Sequence, residues 1–154
     1  MFSKEERKIY HQAYWSAFKK YMNQYKNSRG KRINWLNYPT HLKEIYVRLH
    51  VDNQQAHFSI DIQCKDKEIR LLIWEQFEEL RKVLENEMDD QGQWSKIAYN
   101  SAGQEISQII WEINKVNIYQ QNDQPIVFDF LKNKLISFDT FYQTYKDILI
   151  GLLK

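Results

Sequence analysis

Two imidazoles and a carboxylate at strand spacing are the first side chains in this sequence that could do chemistry. His50 and His57 flank a short polar stretch, Asp52-Asn53-Gln54-Gln55, with Arg48 before it and Asp61 after it. A hairpin closed at that stretch sets His50 opposite His57 and gathers Arg48, His50, His57 and Asp61 on one polar face. Imidazole and carboxylate together can bind zinc or iron, but a closed zinc site takes four side chains. The spacing supplies a pair with no fixed third ligand. No metal site and no cofactor is therefore expected, and the four residues stand as polar-face candidates.

A second constellation has a nuclease outline. Gln63-Cys64-Lys65 matches the Glu/Gln-x-Lys that some nucleases use, with an acidic partner, to hold Mg²⁺ and a water. Asp52 lies at the turn, roughly 23 Å from Gln63 along the strand, so Glu44 is the better partner. Glu44, Gln63 and Lys65 still give the metal only one carboxylate, and Lys65-Asp66 reads more simply as a strand end and a helix cap. Nucleophilic catalysis has less support. Cys64 falls in phase with the buried face, where a thiol behaves as a small hydrophobe. No Gly-x-Ser-x-Gly, His-Glu-x-x-His, Walker A or dinucleotide fingerprint is present. Glu75 and Glu79 share a helix face as like charges, which is ordinary solvated surface.

The elements that must position these groups are legible from period and caps. Ser3-Lys4-Glu5-Glu6 is a capping box opening a helix whose stripe runs Tyr10, Ala13, Tyr14, Ala17, Phe18, Tyr21, Tyr25. Asn27-Ser28-Arg29-Gly30 ends it. Residues 33–38 read as either a short strand or irregular packing before Pro39. Over 45–64 apolar and polar residues alternate on both sides of the polar turn, which predicts a hairpin with one buried face. Val51 then pairs with Ala56, His50 with His57, Arg48 with Ser59, and Tyr46 with Asp61.

Asp66 caps a helix over about 67–88 with Ile69, Ile73, Phe77, Leu80, Leu84 and Met88 inward. A second hairpin follows, 94–99 and 105–113, whose later strand is apolar on both sides and so reads as a central strand or as one covered on both sides. Asp123, with Pro125 in the opening turn, and Ser137 predict two final helices. The expectation is one α+β domain over 1–154. Its antiparallel sheet has two hairpins (four to five strands) and helices mainly on one face, in the order α-β-β-α-β-β-α-α.

Composition excludes several classes. At 43% hydrophobic and 27% charged, the chain is an ordinary globular domain. It has no membrane-length apolar run and no secretory h-region, and with Cys64 alone it forms no internal disulfide. The expected setting is the cytoplasm, with no membrane partner. The net charge of +2 conceals an asymmetry: +8 over residues 1–50 and −6 over 51–154. Lys26, Arg29, Lys31 and Arg32 cluster beside Tyr25 and Trp35, a pattern in which cations meet phosphates and rings stack on unpaired bases. Ten Tyr and five Trp also suit a homo-oligomer or protein partner.

The sequence also resembles a bacterial family of unknown function, the one numbered 4268, in its short stand-alone form. The resemblance runs from Met1-Phe2-Ser3-Lys4-Glu5-Glu6 through Tyr14-Trp15-Ser16-Ala17-Phe18. It is densest at Ala56-x-Phe58-x-Ile60-Asp61-Ile62-x-x-Lys65-Asp66-x-Glu68-x-Arg70. It continues through Glu75-Gln76-x-x-x-Leu80-Arg81-x-x-Leu84-Glu85 and Gly103-x-Glu105-Ile106-Ser107. Gln108 stands where similar chains often carry a basic residue, and Gln124-Pro125 where a Trp is common. The resemblance implies an α+β fold and no established activity. Its longer relatives' nuclease-like modules imply, by analogy, a nucleic-acid or defence-related accessory role. The expected function is non-catalytic binding, of protein or nucleic acid, and the alternative is a metal-dependent nuclease or other hydrolase.

Overall fold

The computed structural model describes residues 2–153. Helix α1 (Lys4–Met22) starts at the predicted capping box: Ser3 Oγ accepts from the Glu6 amide, and the Glu6 carboxylate accepts from the Ser3 amide. It stops at Met22, short of the Asn27 boundary expected. Residues 33–38 form no strand, and the chain reaches the sheet by an irregular segment.

Strands β1 (Ile45–Val51) and β2 (Gln55–Ile62) form the first hairpin in the predicted register, with Val51 opposite Ala56, His50 opposite His57, Arg48 opposite Ser59 and Tyr46 opposite Asp61. Asp52 shapes the turn because its Oδ1 accepts from the amides of Gln54 and Gln55. Val47 and Ile60 are both buried on the predicted inner face, but the hairpin is not one-sided as expected: Ser59 and Asp61, on the other face of β2, are buried as well.

The helix expected over 67–88 is divided at Leu80 into α2 (Lys67–Glu79) and α3 (Arg81–Met88). Asp66 caps α2 as predicted, accepting from the amides of Glu68 and Ile69. Glu85 is less free than a solvated face would have it. Its carboxylate accepts from the Gly92 amide and the Trp94 indole, fastening α3 to the strand that follows. Lys134 reaches the far end of α3 and donates to the Met88 carbonyl, one of the acceptors a helix C-terminus leaves unpaired.

Strands β3 (Gln93–Tyr99) and β4 (Glu105–Asn114) make the second hairpin. Its turn is held by Asn100 Oδ1 and by Gly103, whose φ of +78° favours glycine. The sheet order is β1-β2-β4-β3, antiparallel throughout, and β4 is central, one of the two readings its two-sided apolar pattern allowed. A bulge between Ser95 and Ala98 interrupts the β3–β4 pairing. Gly92, just before β3, is required by space: a Cβ there would sit 2.9 Å from the Ile109 side chain and 3.0 Å from Trp111.

The last two predicted helices are one. After a short 3₁₀ turn (Gln121–Asp123), α4 (Gln124–Leu152) runs unbroken for 29 residues, and Ser137 lies inside it rather than at a cap. Asp123 does not cap it by side chain either; its carboxylate accepts from the Asn117 amide. No Gly or Pro lies between Pro125 and Gly151 to stop the helix. Phe138 of α4 meets Phe58 of the sheet, and α1 packs Tyr14 and Phe18 against Phe128 at the other end.

The structure is thus α+β, with four antiparallel strands and four helices. The core lies between the Ile45/Phe58/Ile60/Trp111 face and the helices, and the opposite face carries Arg48, His50, His57, Asp61 and Gln108 beside Ile106 and Ile110 of β4. Among the described residues no helix is long and apolar enough to cross a membrane.

Candidate functional site

The four polar-face residues predicted from the sequence converge. Arg48, His50, His57 and Asp61 line one cleft of about 390 Å³ on the open face, closed at the side by Tyr99, Asn100 and Ser101 of the β3–β4 turn. Strand alternation puts Arg48 and His50 (β1), His57, Ser59 and Asp61 (β2) and Gln108 (β4) in adjacent columns.

Asp61 is buried at the floor, yet both its oxygens are occupied. Arg48 Nε lies 3.1 Å from Oδ2, and Gln108 Nε2 donates to Oδ1 at 2.9 Å. Arg48 also donates to the Gln63 side chain, and its guanidinium stacks on Tyr46 at 4.6 Å. The His50 and His57 rings lie 4.6 Å apart. His50 Nε2 is 2.9 Å from Asp52 Oδ2. Burial alone would raise the Asp52 carboxyl, but the His50 bond and the amides of Gln54 and Gln55 outweigh it and hold it below its ordinary value.

His57 is the exception in an otherwise satisfied cleft. Its Nδ1 is buried with no hydrogen-bond partner. Burial, and then the neighbouring His50, push its imidazole below the ordinary value, against the weaker opposing pull of Glu112, Asp52 and Asp61. His57 is therefore neutral at pH 7. A base whose folded value is depressed contributes stability that is complete above about pH 6.5, its unfolded value, and is lost as the pH falls from there through the folded value. The melting temperature is expected to drop more between pH 7 and pH 5 for the wild type than for His57→Gln. Equal drops would show that His57 is not the titrating group.

The nuclease constellation is assembled in space but not in chemistry. Glu44, Gln63 and Lys65 line a neighbouring cleft of about 620 Å³, and the Gln63 amide donates to the Glu44 carbonyl, which confirms Glu44 as the cross-strand partner. The other carboxylate there, Asp66, is the α2 cap. Among the described residues no three His, Cys, Asp or Glu side chains converge as a metal would require. Burial pushes the Cys64 thiol up, away from thiolate chemistry, and its Sγ donates to the Asp66 carbonyl.

Lys26, Arg29, Lys31 and Arg32 are all exposed on the segment after α1. Arg29 donates to the Gln143 carbonyl and Arg32 to the Asn23 carbonyl, so two of the four are oriented. The rings expected beside them are less available. Trp35 is buried and donates to the Tyr25 carbonyl, and Tyr25 packs on Tyr21.

A wider charge pattern goes beyond that cluster. Residues 7–43 contain Arg7, Lys8, Lys19, Lys20, Lys26, Arg29, Lys31, Arg32 and Lys43, and no Asp or Glu. All nine side chains are exposed. The ion pairs among the described residues use none of them; the paired cations are Arg48, His50, Lys67, Arg70, Arg81, Lys132 and Lys134. The signal was available as an uninterrupted acid-free stretch, which a tally over the first fifty residues dilutes with Glu5, Glu6 and Glu44. Arg7 and Lys8 line, with Lys4, His11, His50 and Asp52, a cleft of about 770 Å³ between α1 and the β1–β2 turn. His50 belongs to this cleft and to the open-face cleft alike.

An antiparallel sheet covered by helices on one side, with a polar cleft on the other, defines a two-layer α+β domain. More particularly, the chain belongs to the family described as Domain of unknown function (DUF4268), whose pattern matches residues 10–146. No curated protein and no solved structure matches it.

Proposed function

We propose that this protein is a non-catalytic accessory module of the bacterial cytoplasm that binds nucleic acid. One observation carries the reading: the exposed cations of residues 7–43, with no carboxylate among them in sequence and no ion pair to them among the described residues. Unneutralised cations attract a polyanion and release its counterions on contact, which gives affinity without sequence preference. Both Asp61 oxygens are already engaged, by Arg48 and Gln108, and this supports a positioning rather than a reacting role for that carboxylate. The single half-buried cysteine suits a reducing compartment.

Fluorescence anisotropy with a labelled oligonucleotide tests this. The wild type is expected to bind at about 50 mM salt and to lose affinity steeply by about 200 mM. The Arg29→Ala/Lys31→Ala/Arg32→Ala variant is expected to bind at least about tenfold more weakly, with a salt slope shallower by about 2. No binding at low salt would overturn the reading. Cleavage of the strand on adding Mg²⁺, abolished by Glu44→Ala or Lys65→Ala in a folded protein, would replace it with the hydrolytic alternative.

A further inference from the structure

Resting on that reading, we infer that the open-face cleft holds an unpaired base of a single-stranded nucleic acid whose phosphates follow the basic surface of α1. The two clefts meet at His50, and although Glu5 and Asp52 also line the first of them, its cations Lys4, Arg7 and Lys8 outnumber these carboxylates, so a strand lying along the cations is led onto the sheet face. Continuity of charge with a second, differently built pocket is what a nucleotide chain requires, since it presents anions at regular spacing and flat heterocycles between them.

The cleft suits a heterocycle in size and in chemistry. Its volume of about 390 Å³ is at the small end of ligand pockets. Its polar groups offer both hydrogen-bonding senses. The Gln108 amide nitrogen is held by Asp61, which leaves its carbonyl oxygen to accept. The His57 Nδ1 has no partner in the protein. Of the four buried unpartnered atoms among the described residues, the others being the Tyr14 hydroxyl, Arg70 Nε and the Trp74 indole nitrogen, it is the one whose residue lines this cleft, and a small rotation of the ring would offer it to a ligand's hydrogen bond. Flat surfaces stand beside these groups. Tyr99 lines the cleft from the end of β3, where it pairs with Glu105, and is 66% exposed; Tyr46, on the open face opposite Asp61, is 38% exposed and carries the Arg48 guanidinium on its ring. Exposed aromatic side chains give up water contact readily to a stacked base, and every base has a face to stack.

A paired base cannot enter this cleft. Within a duplex the hydrogen-bonding edge is used and both faces are stacked, so the inference specifies single strands.

The test uses the full chain and four labelled oligonucleotides of about twelve nucleotides: a deoxyribose strand, a ribose strand, the corresponding duplex, and an abasic strand of equal charge. At one salt concentration at least one of the base-bearing single strands is expected to bind about tenfold more tightly than the duplex or the abasic strand. Whichever of the two binds more tightly names the natural strand and supports the inference. Tyr46→Ala, Tyr99→Ala and Gln108→Ala are each expected to weaken single-strand binding by about five- to tenfold with an unchanged salt slope, whereas the Arg29/Lys31/Arg32 variant lowers the slope for every probe. Thermal melting of each variant establishes that it is folded, and Tyr99, being exposed, is the one least able to disturb packing. Equal binding of all four probes, untouched by the tyrosine and glutamine variants, would overturn the inference and leave phosphate binding standing. Absence of binding to every probe would instead remove the proposed function itself.

Discussion

Phe138→Ala is expected to lower unfolding stability by about 4 kcal/mol. The ring is fully buried near the middle of α4, within aromatic contact of Phe58 on β2, Tyr38 on the incoming segment, and Phe141 and Tyr142 on its own helix. Truncation removes transfer free energy and leaves a hole bounded by three separate parts of the chain. Those parts cannot all relax into it, because each is fixed by other bonds. Tyr142, for instance, donates to the Thr40 carbonyl and cannot tilt without losing it. For a chain of this length the loss corresponds to a melting temperature lower by about 10 °C or more. Urea denaturation measures it directly. A loss under about 1.5 kcal/mol would mean that α4 is not continuous through the core at this point.

Asp139→Ala, one residue further on, is expected to cost about 3 kcal/mol for a different reason. The carboxylate is 1% exposed and accepts from the Ser28 amide at 2.7 Å, from the Tyr38 hydroxyl, and from Gln143 Nε2. Removing it takes the acceptor from three donors, of which the Tyr38 hydroxyl is the one that burial keeps from water. The Tyr38 hydroxyl responds to the same environment: burial first, and then the bond to Asp139, raise it far above the ordinary phenol value. Asp139→Asn keeps one acceptor oxygen and is expected to lose about half as much. Because Ser28 and Tyr38 both lie on the irregular segment between α1 and β1, the alanine variant is also expected to be cut there first in limited proteolysis. Protection of that segment in Asp139→Ala would show that the carboxylate does not hold it.

These two neighbours also show what was legible in the sequence. The first hairpin could be read residue by residue, because a strand's period of two leaves one register that buries Val47, Val51, Phe58 and Ile60 together. The His50–His57 and Tyr46–Asp61 pairs follow from that register. Hence the members of the open-face cleft were identifiable in advance, while the wall supplied by Tyr99, Asn100 and Ser101 was not: it depends on how the second hairpin sits against the first. Ser137 resembles a cap in local sequence, but a Ser inside a helix costs little, and here Phe138 and Phe141 carry the helix across the sheet. Leu80 has no sequence mark of a helix break, and α2 nonetheless ends there with its amide shared among the carbonyls of Gln76, Phe77 and Glu78. Arg70 shows the same limit. Its guanidinium is buried and meets the carboxylate and carbonyl of Glu105, a partner 35 residues away that no local period announces.

The bonds that hold the early segment in place have a temporal consequence. Ser28 and Asp139 are 111 positions apart, Tyr38 and Asp139 101, Thr40 and Tyr142 102, and Tyr10 and Ile118 108. During vectorial synthesis the amino-terminal forty residues leave the ribosome long before the helix that anchors them exists. Their aromatic side chains must then wait in an unfinished, solvent-facing state until residues 118–142 arrive, and such long-range contacts are the slow kind to form.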